Sequence, residues 1–355
     1  MKIAVFVTNP RLPPNRSDQW VTVRCEGRAA INSGLGFALL GHEVDLISAY
    51  FNNTSMHGVS FLNYYDPQKY YDVVYSWYGG LTPGASNYGK LLRLIEPSNS
   101  TERLIEISKL SPRAVLCTLS SKAVPMLAAR GVVARYMPCL YPIPCLPGIE
   151  EQDFLPFKFD AKKEKLKVWV FINSWRAYHL LCDAQVLVTL RKLRDSYNKN
   201  LDVTLLVVEK DSKYNTVPIE LGVILSEFGA KIRYSNEMCY LDILNSIMES
   251  DICITKGGFA YCGNCSFDII SLGKLMIYIT EHSPDSLDLN RQNINDLFPI
   301  KDLVLNTYDT VGMLRNKIDK IMGNPEECYN AMRKELITYS FPEWKKIVTE
   351  VLSGS

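Results

Sequence analysis

The sequence lacks any uninterrupted apolar run near the roughly 18 residues that a membrane helix needs, so no membrane span is expected. It also lacks a signal-peptide layout: the first residues enter an apolar strand directly, Ile3-Ala4-Val5-Phe6-Val7, and a cytoplasmic location is the expectation. Histidine is scarce, with four in 355 residues, and His57 and His179 have no partner visible in sequence, so no metal site is named. Strong charge of either sign is missing too. The formal net charge is +1, which neither requires nor excludes a nucleic-acid partner, because a local basic face matters more than the total. Cysteine is plentiful at ten, yet the cysteines are scattered and Cys117 and Cys253 lie inside apolar runs. They read as small buried hydrophobes rather than a disulfide framework. The pair Cys262 and Cys265 has redox spacing but no second pair to make a zinc site, and packing is the expected use.

What is present is a two-part α/β pattern. A chain of 355 residues exceeds the size at which one hydrophobic core stops growing, so two domains are expected. The first half begins with a strand over 2–8, a Pro- and Arg-rich loop, a helix over about 21–40, the turn Gly41-His42-Glu43 and a strand over 44–48. Strand, helix, turn, strand is the βαβ unit of a parallel sheet. Further strands are expected at 72–75 and 114–117. Between 137 and 160, Pro138, Pro142, Pro144 and Pro147 with the acids Glu150, Glu151 and Asp153 suit a connection, and a restart of the pattern follows: strands at 168–172, 203–208, 231–234, 252–254 and 275–279, with helices between them. The expected domains are 1–155 and 156–335, with a terminal helix over 336–355 packing back toward the first. The fold class is α/β, two Rossmann-like doubly wound parallel sheets facing a central cleft.

The most informative stretch runs from Asp251 through Gly257, Gly258, Ser266 and Asp268 to Gly273 and the strand after it. A glycine loop lets a backbone approach a ligand closely, free amides at a helix start attract phosphate, and a carboxylate on that helix can take the two hydroxyls of a ribose. This segment resembles the donor-binding segment of the GT-B glycosyltransferases, in which an acid on the helix after the glycine loop usually holds the ribose of a nucleoside diphosphate sugar. Asp268 is the matching position. Ala260 stands where many retaining members carry a second glutamate, so that double-acid pattern is absent. The loop Asn173-Ser174-Trp175-Arg176 follows the first strand of the second half, where the family places small and basic residues on the diphosphate. Arg176 is the candidate diphosphate ligand, able to offset leaving-group charge without a metal. The phrase Leu40-Gly41-His42-Glu43-Val44 resembles the helix-to-strand junction of the family's N-terminal domain.

The layout is also similar to the bacteriophage DNA β-glucosyltransferases, which implies a hydroxymethylated DNA base as one acceptor beside a glycan or small molecule. Arg11, Arg16, Arg24 and Arg28 would then meet phosphates. Asp18 and Glu26 are the candidates for the catalytic base, and Glu281 and His282, just past a strand, for contacts with the sugar. The nucleoside diphosphate sugar (a UDP-sugar) is the substrate implied; no tightly bound cofactor is expected, and a divalent metal is compatible with the reading but not required. Two other readings stand beside this one: a sugar-nucleotide epimerase of the same shape, and a non-catalytic sugar- or nucleotide-binding protein. The tyrosines around 64–78 are read as strand and core residues before ligand platforms.

Overall fold

The structure is a computed structural model that describes residues 1–7, 25–49, 51–56, 58–77, 87–95, 101–110, 113–119, 121, 123–138, 140, 155–172, 180–207, 219–234, 238, 240–257, 263–280, 303–306, 309–337 and 340–354. The chain divides into two compact units, one built from its first part together with Ile337–Ser355, the other from Phe154–Leu336.

The first unit contains, in chain order, β1 (Lys2–Phe6), α1 (Cys25–Leu39), β2 (Glu43–Ile47), β3 (Thr54–Met56), β4 (Val59–Leu62), β5 (Tyr71–Ser76), β6 (Tyr88–Leu94), α2 (Thr101–Leu110), β7 (Ala114–Thr118), α3 (Ala123–Ala129) and β8 (Arg135–Tyr136). Among the described residues these strands form an eight-stranded sheet in the order β3-β4-β2-β1-β5-β6-β7-β8. Only β3 runs antiparallel, closing a hairpin with β4 at the edge. The strands Ile3-Ala4-Val5 and Val73-Val74-Tyr75 are buried on both faces, as near-continuous apolar runs in a parallel sheet must be. The connection from β4 to β5 contains no helix. Residues 63–70 cross the sheet as a short strap: Tyr65 stacks on Tyr71 at 5.8 Å, and Lys69 reaches Asp45 of β2 at 2.7 Å.

The second unit contains β9 (Lys165–Ile172), α4 (Leu180–Tyr197), β10 (Asn200–Val207), α5 (Ile219–Phe228), β11 (Lys231–Tyr234), α6 (Tyr240–Met248), β12 (Ile252–Gly257), α7 (Gly263–Ser271), β13 (Leu275–Thr280), β14 (Val304–Asn306), α8 (Val311–Gly323) and α9 (Pro325–Leu336). Its described strands are all parallel, in the order β11-β10-β9-β12-β13-β14. Counted from β9 this is 3-2-1-4-5-6, the doubly wound dinucleotide-binding order.

The last helix, α10 (Phe341–Ser353), belongs to the first unit. Its fully buried Trp344 lies against Phe37 of α1 at 5.5 Å and donates from Nε1 to the Pro138 carbonyl at 3.0 Å. Gly36 makes this possible, since a Cβ there would sit 2.6 Å from the Trp344 ring. Lys90 of β6 donates to the Leu352 carbonyl at 2.8 Å, meeting the exposed carbonyls and the negative end of α10.

Several elements differ from the sequence expectation. β9 starts at Lys165, earlier than expected, because Lys165, Leu166 and Lys167 already pair in register with Asn200, Leu201 and Asp202 of β10. β12 runs through Gly257, so the glycine expected in a loop is the last strand residue. The helix expected over about 21–40 is described from Cys25. The hairpin β3–β4 and strand β6 were not anticipated.

Candidate functional site

In open α/β sheets a ligand crevice opens outside the carboxyl ends of the strands where the strand order reverses. In the second unit that point lies between β9 and β12. Their ladder runs from Ile252 opposite Val168 to Ile254 opposite Val170 and stops there. β9 continues beside β10 to Ile172, while β12 continues beside β13 to Gly257. The two strands part at their carboxyl ends, leaving backbone amides and carbonyls at the mouth of the split.

The expected donor residues follow from these strand ends. Gly257 closes β12, and Gly258 comes next in sequence but lies outside the described residues. Ser174 and Arg176 belong to the segment that leaves β9, and Glu281 and His282 to the segment that leaves β13; all four lie outside the described residues. Because β9, β12 and β13 are adjacent and parallel, all three segments start from one edge of the sheet.

Ser266 and Asp268 are carried by α7, the crossover from β12 to β13, and each is 1% exposed. α7 buries Phe267, Ile269 and Ile270 as well, so it is enclosed rather than half-solvated. Ser266 Oγ is buried and makes no hydrogen bond among the described residues; the same holds for Oγ1 of Thr255 on β12. Sequence reasoning missed Thr255, although it is the polar residue after the apolar triplet Ile252-Cys253-Ile254. Two buried hydroxyls flanking the glycine segment are donors suited to phosphate or hydroxyl oxygens. The Cys253 thiol is held well above its ordinary range by burial, which makes it packing material.

Gly273 is explained by the fold. Its amide donates to Ile270 O at 3.0 Å and the next amide, Lys274, to Ile269 O at 3.1 Å, the paired bonds of a left-handed helix C-cap. Gly41 ends α1 the same way, with bonds to Ala38 and Phe37. The Gly of both resembling segments is therefore a helix terminator. Segment 155–158 is laced over the Gly273 turn: Leu155 N bonds Ser271 O at 2.7 Å, Lys158 N bonds Gly273 O at 2.8 Å, and Tyr329 of α9 donates to Ile270 O at 3.0 Å.

The charged cluster at the other edge is a clamp. Asp251 accepts from Lys163 at 2.5 Å and from the Lys167 amide at 2.9 Å. Lys274, its pKa lowered by burial, donates to the Met248 and Ser250 carbonyls after α6. These residues stand at the amino ends of β12 and β13, away from the split.

In the first unit the order reverses between β1 and β5. Arg11, Arg16, Asp18 and Arg24 fall between β1 and α1, outside the described residues. Glu26 and Arg28 lie in the first turns of α1, their side chains outside the description as well. Of the tyrosines, Tyr71 and Tyr75 are core residues, while Tyr64 and Tyr70 are exposed. Cys265 is buried, and Cys262 lies outside the described residues. Among the described residues no group of His, Cys, Asp and Glu is placed to hold a metal ion, and no helix is long and apolar enough to cross a membrane.

No family model and no curated protein sequence matches the chain. Solved structures do. An E. coli trehalose-6-phosphate structure bound with UDP-2-fluoro glucose superposes with a TM-score of 0.61 at 10% identity, covering 100% of this chain and 99% of that one. A UDP-forming trehalose-phosphate synthase from Burkholderia xenovorans gives 0.60 at 10% identity, covering 99% and 98%. A further trehalose-6-phosphate synthase gives 0.63 at 8% identity, covering 100% and 99%. Likeness over whole chains at such identity is a likeness of fold, and the chain has the GT-B glycosyltransferase fold of two Rossmann-like units.

Proposed function

We propose that the chain is a glycosyltransferase that moves a sugar from a UDP-sugar to an acceptor hydroxyl. The observation that carries this reading is the split between β9 and β12, from whose edge the three expected donor segments leave. The similarity to UDP-forming synthases over the full chain supports UDP as the nucleotide.

In this reading the donor sits at the carboxyl edge of the second unit. Asp268 takes the ribose hydroxyls, the segment at Gly257 and Gly258 and the hydroxyls of Ser266 and Thr255 meet the diphosphate, and Arg176 with Ser174 offsets the charge that grows on the leaving UDP. Glu281 and His282 meet the sugar. Asp18 or Glu26 removes the acceptor proton, and Arg11, Arg16 and Arg24 contact an acceptor that carries phosphate. Hydroxymethylated DNA belongs in the acceptor trials beside sugars and sugar phosphates.

A thermal-shift panel of UDP, GDP, dTDP and CMP with their sugar conjugates tests the donor class, since a ligand that binds only the native state raises its stability. A shift with UDP and UDP-sugars is expected; no shift with any nucleotide returns the chain to the non-catalytic reading. An epimerase would convert the UDP-sugar without any acceptor, which chromatography of the incubated donor detects.

A further inference from the structure

The sheet of the second unit carries a charged face that the donor reading does not use. Leu166 and Val168 of β9 are buried, and the alternate positions Lys165 and Lys167 are exposed on the other side of the strand. Register places Lys167 beside Asp202 of β10 and Thr204 of β10 beside Lys231 of β11, with Arg233 two residues further along the same side. The ion pairs agree that these side chains share one face: Lys165 lies 3.9 Å and Lys231 3.4 Å from Asp202. Lys163, just before β9, reaches Asp251, whose other carboxylate oxygen accepts from the Lys167 amide.

Five cations thus stand against two carboxylates, and the carboxylates lie deeper. The side chains of Lys163, Lys165 and Lys231 are 49%, 66% and 68% exposed, those of Asp251 and Asp202 11% and 28%. Neither Lys167 nor Arg233 meets a carboxylate among the described residues; Arg233 donates to Ser246 Oγ of α6 at 3.4 Å. Of the other charges at this edge, Lys162, Lys199 and Lys274 match Asp160, Glu164 and Glu249 in number, so the surplus remains and the field outside the face is positive. Lysines on an edge strand guard against pairing with another chain, which accounts for Lys231 and Arg233 on β11. That role does not extend to Lys165 and Lys167, because β9 lies inside the sheet between β10 and β12. Capping of helix carboxyl ends accounts for Lys274, which donates to the Met248 and Ser250 carbonyls, but not for side chains that meet carboxylates or water.

We propose that this face, with Lys163, Lys165 and Lys167 in one line and Lys231 and Arg233 in another, is a docking surface for the phosphate backbone of a nucleic acid. Two strand spacings set the lines roughly 10 Å apart, and cations repeat about every 7 Å along each. The ladder therefore presents charge as a rigid grid, which suits a polymer with a phosphate at every residue better than a single anion, and which reads no base sequence. A membrane surface would take apolar side chains among the cations. Here Trp169 and Phe171, the next residues on the same side of β9, are buried. The face lies at the amino ends of the strands, at the opposite edge of the sheet from the split, and the proposal does not rest on the transferase reading.

Fluorescence anisotropy of a labelled DNA duplex of roughly 20 base pairs, and of a single strand of the same length, titrated with the full chain between about 50 and 200 mM salt, tests the surface. Binding that is independent of sequence and weakens with salt is expected. Lys165→Gln combined with Lys231→Gln should lower the slope of log affinity against log salt by about 1.8 for the duplex, at roughly 0.9 per phosphate contact. Asp202→Asn, which removes a carboxylate from among the cations, should tighten binding, and Lys346→Gln, an exposed cation of α10, should leave it unchanged. Circular dichroism melts establish that each variant is folded, and the wild-type titration needs no variant at all. Absence of binding by both probes at about 50 mM salt, a slope that the double variant leaves unchanged, or an equal effect of Lys346→Gln overturns the proposal. So does tighter binding to phosphatidylserine vesicles that the double variant abolishes, which would make the face a membrane surface. UDP titrated into the same samples keeps the two readings apart: UDP binding without nucleic-acid binding removes only this surface, and nucleic-acid binding without UDP binding removes only the transferase.

Discussion

Gly273 lies directly beneath the Pro156 carbonyl: a Cβ at residue 273 would be 2.1 Å from that oxygen. Its φ of +70° is also one that side chains rarely adopt. The turn between α7 and β13 is thus held by the segment that leads into the second unit, and the helix bearing Asp268 is positioned through it.

Gly273→Ala meets both obstacles, and a loss of roughly 3 kcal/mol is expected. Urea unfolding of the variant should show a lower midpoint, and UDP affinity should fall with it because α7 shifts. A midpoint equal to wild type would mean that segment 155–158 yields freely.

The pair Asp45 and Tyr71 supplies a test in alkali. Tyr71 donates to the buried Asp45 carboxylate at 2.6 Å, with Lys69 as a second donor at 2.7 Å. Burial first, then the bond to Asp45, raises the Tyr71 pKa above its ordinary value near 10. A tyrosine raised on folding contributes stability that is complete below pH 10 and is lost as pH climbs toward the folded value. Tyr71→Phe should cost about 1–3 kcal/mol at neutral pH, because Asp45 loses a donor. Its stability should also decline less than wild type between pH 10 and 11.5, which denaturant melts across that range would measure; parallel declines would refute the assignment.

Trp344 tests whether the last helix is part of the first unit's core. Trp344→Ala removes a fully buried ring and the bond to Pro138, an expected cost of about 3–5 kcal/mol. Proteolysis of the variant should cleave the first unit at lower denaturant while the second unit persists. Equal resistance of both units would contradict this packing.

Asp268→Asn keeps the shape of a 1%-exposed side chain and removes its charge. On the ribose reading UDP affinity should fall at least about tenfold with the melting temperature little changed. Calorimetry with UDP decides it; unchanged affinity would take Asp268 out of the site.

Much of this fold was legible because its signals are local. The strands around Ile3 and Ile252 are unbroken apolar runs, and Gly41 and Gly273 end their helices by the same left-handed cap. β6 was illegible because Leu91-Leu92-Arg93-Leu94 carries no alternation that marks a strand: both of its faces are covered, so an apolar run there is equally compatible with a buried helix. The strap over 63–70 was missed because a parallel crossover ordinarily brings a helix, whereas here Tyr65 and Lys69 cover the sheet directly. Asp268 stands out in sequence from its place between a glycine segment and a cap, and the structure carries it on α7, the crossover between β12 and β13. Thr255 does not, since its interest lies in burial, which a hydroxyl in a strand does not announce in sequence.

The most direct test of the central claim is calorimetric titration of the full chain with UDP-glucose, followed by assay for UDP release with sugar, sugar phosphate and hydroxymethylated DNA acceptors. The account predicts saturable binding of the UDP-sugar and UDP release that depends on an acceptor. Absence of binding by UDP-glucose, other UDP-sugars and UDP itself would contradict it.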